Sequence, residues 1–253
     1  MSNEPLSQRA VTLGDAASRR IAEWCLTLAK LSQGSIAGAS EDTYLGRELR
    51  AAAVVATMAE VERLLRELLI SVAKDISRTP IPIKDLTGSL RPLAANSIFQ
   101  SIITSPKGEN HWNHRSLVTN LADSTEIASL PDRSARSPQP PLDGRTIRES
   151  HFERVWNLLS LPGEPFPSAQ ASTSLNALSV LRNDIAHGNE PIEEIFHIQV
   201  AEKSSRKLLR HLQEIEKLVD HTSLNFSEYG RLRLYKNSNP SFHSANHNSI
   251  STD

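Results

Sequence analysis

Between Asp15 and Ser32 the apolar residues Ile21, Trp24, Leu28 and Leu31 fall three and four positions apart, which lines them along one side of a helix. Gly34 and Gly38 end that pattern. A longer helix is predicted from Glu41 to about Ser77, where Leu45, Leu49, Val54, Met58, Val61, Leu65, Leu68 and Val72 keep the helical repeat with no Gly or Pro after Gly46. At about 1.5 Å per residue it would be on the order of 45 Å long, enough for the spine of a fold. Thr79-Pro80-Ile81-Pro82 stops it, because proline lacks an amide donor and restricts the residue before it. Helical spacing resumes from Leu86 to Ile103, with a kink expected near Pro92, and again from Ser116 to Ala122. The Pro-, Ser- and Arg-rich stretch between Leu130 and Gly144 cannot bury a core and reads as an exposed, mobile connection.

In the second half, Asp143 or Thr146 is placed to cap a helix that turns Ile147, Phe152, Val155, Leu158 and Leu159 inward and ends before Pro162-Gly163. Ser172 or Thr173 opens the next, with Leu175, Leu178, Leu181 and Ile185 inward, and Gly188 stands where a left-handed residue would terminate it. Asn189 or Glu190 with Pro191 then starts a long helix to about Asp220, carrying Ile192, Ile195, Leu208, Leu212, Ile215 and Val219, so the two helices should form a tight hairpin. Arg231-Leu232-Arg233-Leu234-Tyr235-Lys236 alternates like a short strand with one basic face. The Ser-, Asn- and His-rich residues from Asn237 to Asp253 are expected to be disordered. This divides the chain into a helical extension over 1–40, an all-α domain over 41–221, and a basic segment with a tail over 222–253. No internal repeat is visible.

Composition agrees with helix: 38% of the 253 residues are apolar and only 5% aromatic. The formal net charge is -1, so there is no global positive field, and any nucleic-acid contact must come from a local patch or from dimer symmetry. The single Cys25 rules out an internal disulfide and the usual zinc cluster. Met1-Ser2-Asn3-Glu4-Pro5 has no signal-peptide character, and no apolar run approaches the length of a membrane span, so a cytoplasmic location is expected.

One heptapeptide carries chemistry: Arg182-Asn183-Asp184-Ile185-Ala186-His187-Gly188. An Arg followed at short spacing by a His is a weak pattern, and Arg206 with His211 and Arg145 with His151 also satisfy it. The first copy is set apart by Asn183 directly after the Arg, small Ala186 before the His, and Gly188 ending the helix. Arg206 and His211 lie mid-helix among Lys207, Arg210 and Gln213, where a solvated charged face is the better account. The bland account of Arg182 and Asp184 is surface ion pairing, with His187 favoured by the partial negative charge of a helix C-terminus.

Leu181 to Asn189, on the penultimate long helix of an all-helical domain, resembles the signature of the HEPN superfamily and is similar in particular to the stand-alone HEPN nucleases of bacterial toxin and phage-defence loci. The resemblance spans about Glu41 to Asp220, by residue within the motif and by helix order elsewhere. It implies a HEPN-like bundle of long antiparallel helices and a homodimer in which two motif helices meet. Both Arg-His pairs would then line one cleft that cuts RNA without a metal or other cofactor.

That chemistry is self-consistent. RNA supplies its own nucleophile, the 2′-OH, so a site needs a proton acceptor, a proton donor and positive charge on the phosphorane. His187 suits the proton transfers because imidazole titrates near neutral pH, and a dimer supplies two copies. Arg182 offers a permanent fork of donors for phosphate oxygens, and Asn183 would position the substrate or hold the His tautomer. Residues five apart on a helix point about 140° from each other, so Arg182 and His187 share a cleft within one chain only if the helix end at Gly188 reorients His187.

The resemblance departs at one position. HEPN toxins paired with nucleotidyltransferase antitoxins carry a Tyr two residues after the His, where this chain has Asn189. Control by nucleotide transfer is therefore disfavoured, and an antitoxin or immunity protein that covers the cleft remains open. Within the same resemblance, a non-catalytic helical module for protein or RNA binding is the alternative.

Other constellations are weaker. His111-Trp112-Asn113-His114 offers two imidazoles without further ligands and reads as a polar loop. Arg231, Arg233 and Lys236 with Tyr229 and Tyr235 mix charge and rings as single-stranded RNA binders do, though a solvated edge explains them equally. Glycine-rich phosphate loops, nucleophile elbows and His-Glu-x-x-His patterns are absent, which removes those hydrolase and NTPase classes.

Overall fold

The computed structural model describes residues 4–104, 109–131, 139, 141–188, 191–197 and 204–237. The fold is all-α, as the hydrophobic pattern predicts: among the described residues there are nine helices and no strand, only isolated bridges. The helices are α1 (Leu6–Ser32), α2 (Tyr44–Arg78), α3 (Arg91–Ala94), α4 (Asn96–Thr104), α5 (Glu109–Thr119), α6 (Glu149–Leu159), α7 (Ala169–His187), α8 (Ile192–Ile195) and α9 (Ser205–Leu232).

Helix α1 starts earlier than its apolar stripe suggests, and it is not peripheral. Leu6, Ala10, Leu13, Ala17, Ile21 and Leu28 join the same core as the inner faces of α2 and α9. It lies so close to α9 that a Cβ on Gly14 would sit 2.4 Å from Ser223 Oγ. Ser18 donates to Asp220 at 2.6 Å along the same seam.

The spine helix α2 covers nearly the predicted span, but its first inner positions differ. Leu45 is 45% exposed, and the buried side begins instead with Gly46 and Arg50. A Cβ on Gly46 would meet the Ser40 carbonyl oxygen at 1.8 Å, so only glycine lets the preceding loop fold against the first turn. That loop carries Glu41. Its carboxylate accepts from the backbone N–H of Ser205 at 3.0 and 3.2 Å, placing negative charge on the N-terminus of α9, where the helix dipole favours it. Arg50, only 1% exposed, donates to the Glu41 carbonyl at 2.6 Å and to the Phe196 carbonyl at 3.2 Å, approaches the Glu41 carboxylate at 3.4 Å, and stacks 5.1 Å from the Phe196 ring centre. One guanidinium thus joins the entry to α2, the end of α8 and the start of α9.

Three expectations fail for local reasons. The span from Leu86 to Ile103 is not one kinked helix: Leu86 is extended, Pro92 opens the one-turn α3, and α4 follows. Proline fits a first turn, where its missing donor is not needed. The long helix predicted from Pro191 to Asp220 is two helices, since α8 ends at Ile195 and α9 starts at Ser205. Helices α7 and α9 still pack antiparallel, with Ser168 bonded to Glu214 and Ser174 to His211, but the connection is not tight. Finally, Arg231–Lys236 is no strand. Helix α9 runs on to Leu232, Arg233 takes the left-handed turn, and Tyr235 is buried with its hydroxyl donating to Asp75. The tail beyond Asn237, and most of the connection between Leu130 and Gly144, lie outside the described residues.

Replacing Arg50 with Ala would leave two carbonyls without their donor and Glu41 without its counter-charge. We expect a loss of about 3 kcal/mol in urea unfolding, with Arg50→Lys recovering only part, because an ammonium cannot reach the same spread of acceptors.

Candidate nucleic-acid interface at the end of α7

The sequence element that shapes this region is a polar stripe on α7. Asn176, Ser179 and Asn183 recur at helical spacing and face the extended residues that lead into α6. Asn176 Nδ2 donates to Glu149 at 2.9 Å, Ser179 Oγ donates to the Ile147 carbonyl at 2.6 Å, and Thr146 Oγ1 donates to Asn183 Oδ1 at 2.6 Å. Residues 146–149 therefore run antiparallel along this face of α7, with Ile147 buried beneath them. Asn183, expected to position a substrate, lies on this stripe, and its carbonyl oxygen serves the seam. The Ser172 hydroxyl and then Asn176 hold the Glu149 carboxyl below its usual range.

Helix α7 begins one turn before the expected caps, with Ser168 Oγ accepting from Ala171 N at 3.1 Å, and it ends as expected, with Gly188 left-handed at φ 59. Leu175, Leu178 and Leu181 are buried and Ile185 packs partly against the core, so the other side of the last two turns reaches solvent. Arg182 is half-buried and His187 exposed, and among the described residues neither has a hydrogen-bond or ion-pair partner. The helix stays regular through His187, and only Gly188 changes conformation. Helix termination therefore does not swing His187 toward Arg182, and within one chain the two side chains leave α7 about 140° apart. His187 instead follows Asn183 by one turn, on the face of the polar stripe.

The two rival Arg-His pairs have other duties. His211 is buried, with Nδ1 at 2.9 Å from Ser174 Oγ, where α7 and α9 cross; the sequence reading of a solvated face is wrong for it. His151, 5% exposed, accepts at Nδ1 from the Arg148 backbone N–H at 3.1 Å and meets Asp143 through Nε2 at 3.0 Å. Accepting at Nδ1 from the main chain and turning Nε2 to Asp143, this imidazole caps the start of α6. The expected caps Asp143 and Thr146 thus act through His151 and Asn183 rather than on the helix directly. His111-Trp112-Asn113-His114 lies in α5, not in a loop, and no group of metal-ligating side chains occurs among the described residues.

Sequence reasoning passed over Arg50, Glu41 and the Asp143–His151 pair. The first had a legible signal: Arg50 stands four residues before Val54, on the apolar stripe, where a charge needs buried partners. The Asp143–His151 pair had none, since nothing local marks His151 as inward-facing. Cys25 is half-buried and its thiol is pushed up to about 11, first by burial and then by Glu216, so it makes a poor nucleophile near neutral pH.

No family model, curated protein or solved structure matches this chain. Among the described residues no helix is long and apolar enough to cross a membrane.

The His151 bond, followed by the Arg145 backbone N–H, lowers the Asp143 carboxyl from 3.8 to about 2. Between those pH values the unfolded chain binds the extra proton, so the pair's stabilisation is complete above about 4 and is lost as pH falls toward 2. Urea midpoints measured across that window should decline more steeply for the natural chain than for Asp143→Asn.

Proposed function

We propose that this chain is a metal-independent endoribonuclease of the HEPN type, acting as a homodimer in the cytoplasm. Arg182 and His187 are the catalytic residues, and Asn183 positions the substrate. What carries the reading is a contrast of environments. Three Arg-His pairs exist at similar spacing, and two have their imidazoles buried and committed to hydrogen bonds, whereas His187 is exposed at the end of its helix, about one and a half turns from a half-buried Arg182. A side chain kept from internal partners is available for chemistry.

His187 as base removes the proton from a 2′-OH, the 2′-oxygen attacks the adjacent phosphorus, and the 5′-oxygen leaves with a proton from a second His187. The products are a 2′,3′-cyclic phosphate and a 5′-hydroxyl. Arg182 neutralises charge gathering on the phosphorane. Because one chain holds Arg182 and His187 on diverging directions, the complete set requires two copies of α7. Both a toxin and a phage-defence effector fit this chemistry, with an inhibitor that covers the cleft as the matching control.

A non-catalytic binding module is the second reading. It is favoured by the same divergence, which such a module has no need to overcome, and by the engagement of Asn183 with Thr146.

Purified protein incubated with single-stranded RNA in EDTA should cut it and leave cyclic phosphate ends. Arg182→Ala and His187→Ala should each lower the rate by at least about 100-fold, the lower range for loss of an acid-base or charge-stabilising group. Cleavage that persists in both folded variants, or that needs magnesium, overturns the proposal in favour of the module or another chemistry.

A further inference from the structure

The segment on the polar stripe of α7 carries two arginines outside the Arg182–Gly188 motif. Arg145 and Arg148 flank the anchored Thr146 and Ile147, both are exposed, and among the described residues neither guanidinium has a partner. Thr146 is level with Asn183, and Glu149 with Asn176, so residues 146–149 advance in extended steps of about 3.3 Å while α7 rises about 1.5 Å per residue. Arg145 precedes Thr146 in a bend, where its backbone N–H bonds Asp143, and so adjoins the residue that meets Asn183. Arg148 stands one turn or so earlier than Arg182. His187 follows Asn183 by four residues and shares its face, the face on which the segment after Arg145 is laid, whereas Arg182 leaves α7 in another direction.

We propose that Arg145 and Arg148 form a rail that binds consecutive phosphates of a single-stranded RNA and leads it past His187; this rests on the ribonuclease reading and names the residues that hold its substrate. Charge makes such a rail necessary. The chain is -1 overall, and the C-terminal end of α7 presents carbonyls whose partial negative charge repels phosphate, so Arg182 alone is a weak anchor. Two nearby carboxylates are each engaged through one oxygen: Asp143 Oδ1 accepts from His151 and the Arg145 backbone N–H, and Glu149 Oε2 accepts from Asn176. Both arginines, in contrast, are exposed.

The test is binding of an end-labelled RNA oligonucleotide to the His187→Ala chain across a range of salt, which separates binding from cleavage. Each phosphate contact on a single strand contributes about 0.7 to the slope of log affinity against log salt, so adding Arg145→Ala and Arg148→Ala should lower that slope by about 1.4. Arg145→Lys with Arg148→Lys should keep the slope, since the charges remain. Arg19→Ala with Arg231→Ala removes two charges elsewhere, Arg19 on α1 and Arg231 at the far end of α9, about 40 Å from its start, and should change it little. An unchanged slope in the Ala pair, an equal fall in the remote pair, or a Lys pair that behaves like the Ala pair overturns the rail, with melting midpoints confirming that each variant is folded. The ribonuclease reading then still stands if cleavage depends on Arg182 and His187. Absence of both binding and cleavage of RNA overturns the two together.

Discussion

A buried guanidinium that must find acceptors governs the geometry of this molecule. Arg50 enters the core on the first inner turn of α2, and its donors are met by carbonyls from two segments distant in sequence, together with the Glu41 carboxylate. Glu41 is in turn bound to the first amide of α9. Moving any of these pieces leaves a buried donor or acceptor unpaired, so the loop before α2, the end of α8 and the start of α9 are fixed as a set. Since α8 follows the Gly188 turn, the same node limits where the chain goes after the end of α7.

The helices themselves were readable wherever an apolar stripe was long and dense. Those of α2, α7 and α9 point to the residues that are buried, and Gly188 gave away the end of α7 because a left-handed terminus favours glycine. What failed depended on partners far along the chain. Leu45 looks like an inner residue until the Ser40 carbonyl folds onto Gly46 and turns that stripe toward Arg50. Tyr235 looks like one ring of an exposed basic strand until Asp75 and the core accept it. The break between α8 and α9 is invisible in periodicity, because Ile195 and Leu208 are inner residues on both sides of it.

The same distinction applies at the candidate site. Spacing produced three equivalent Arg-His pairs, and only the surroundings tell them apart. His211 belongs to the crossing of α7 and α9 through Ser174, and His151 belongs to the start of α6 through a main-chain amide. Neither relationship can be seen from residues five or six apart. The seam of Asn176, Ser179 and Asn183 was equally hidden, since a polar stripe on a helix reads as a solvated face until a second segment is laid upon it.

The closeness of α1 to α9 has a bearing on how the chain acquires its structure. Ser18 and Asp220 are bonded across 202 residues of sequence, and the glycine contact beside them leaves no room for an intervening side chain. Such a seam cannot close while the later helix is still being synthesised, and loop closure over so long a separation makes assembly slow compared with local helix formation. Until then the inner faces of α1 and α2 wait for α9. A nascent chain would therefore carry α1 through α7 without the helix that closes their core until α9 has emerged, and the ordered end of α7 waits on the same event.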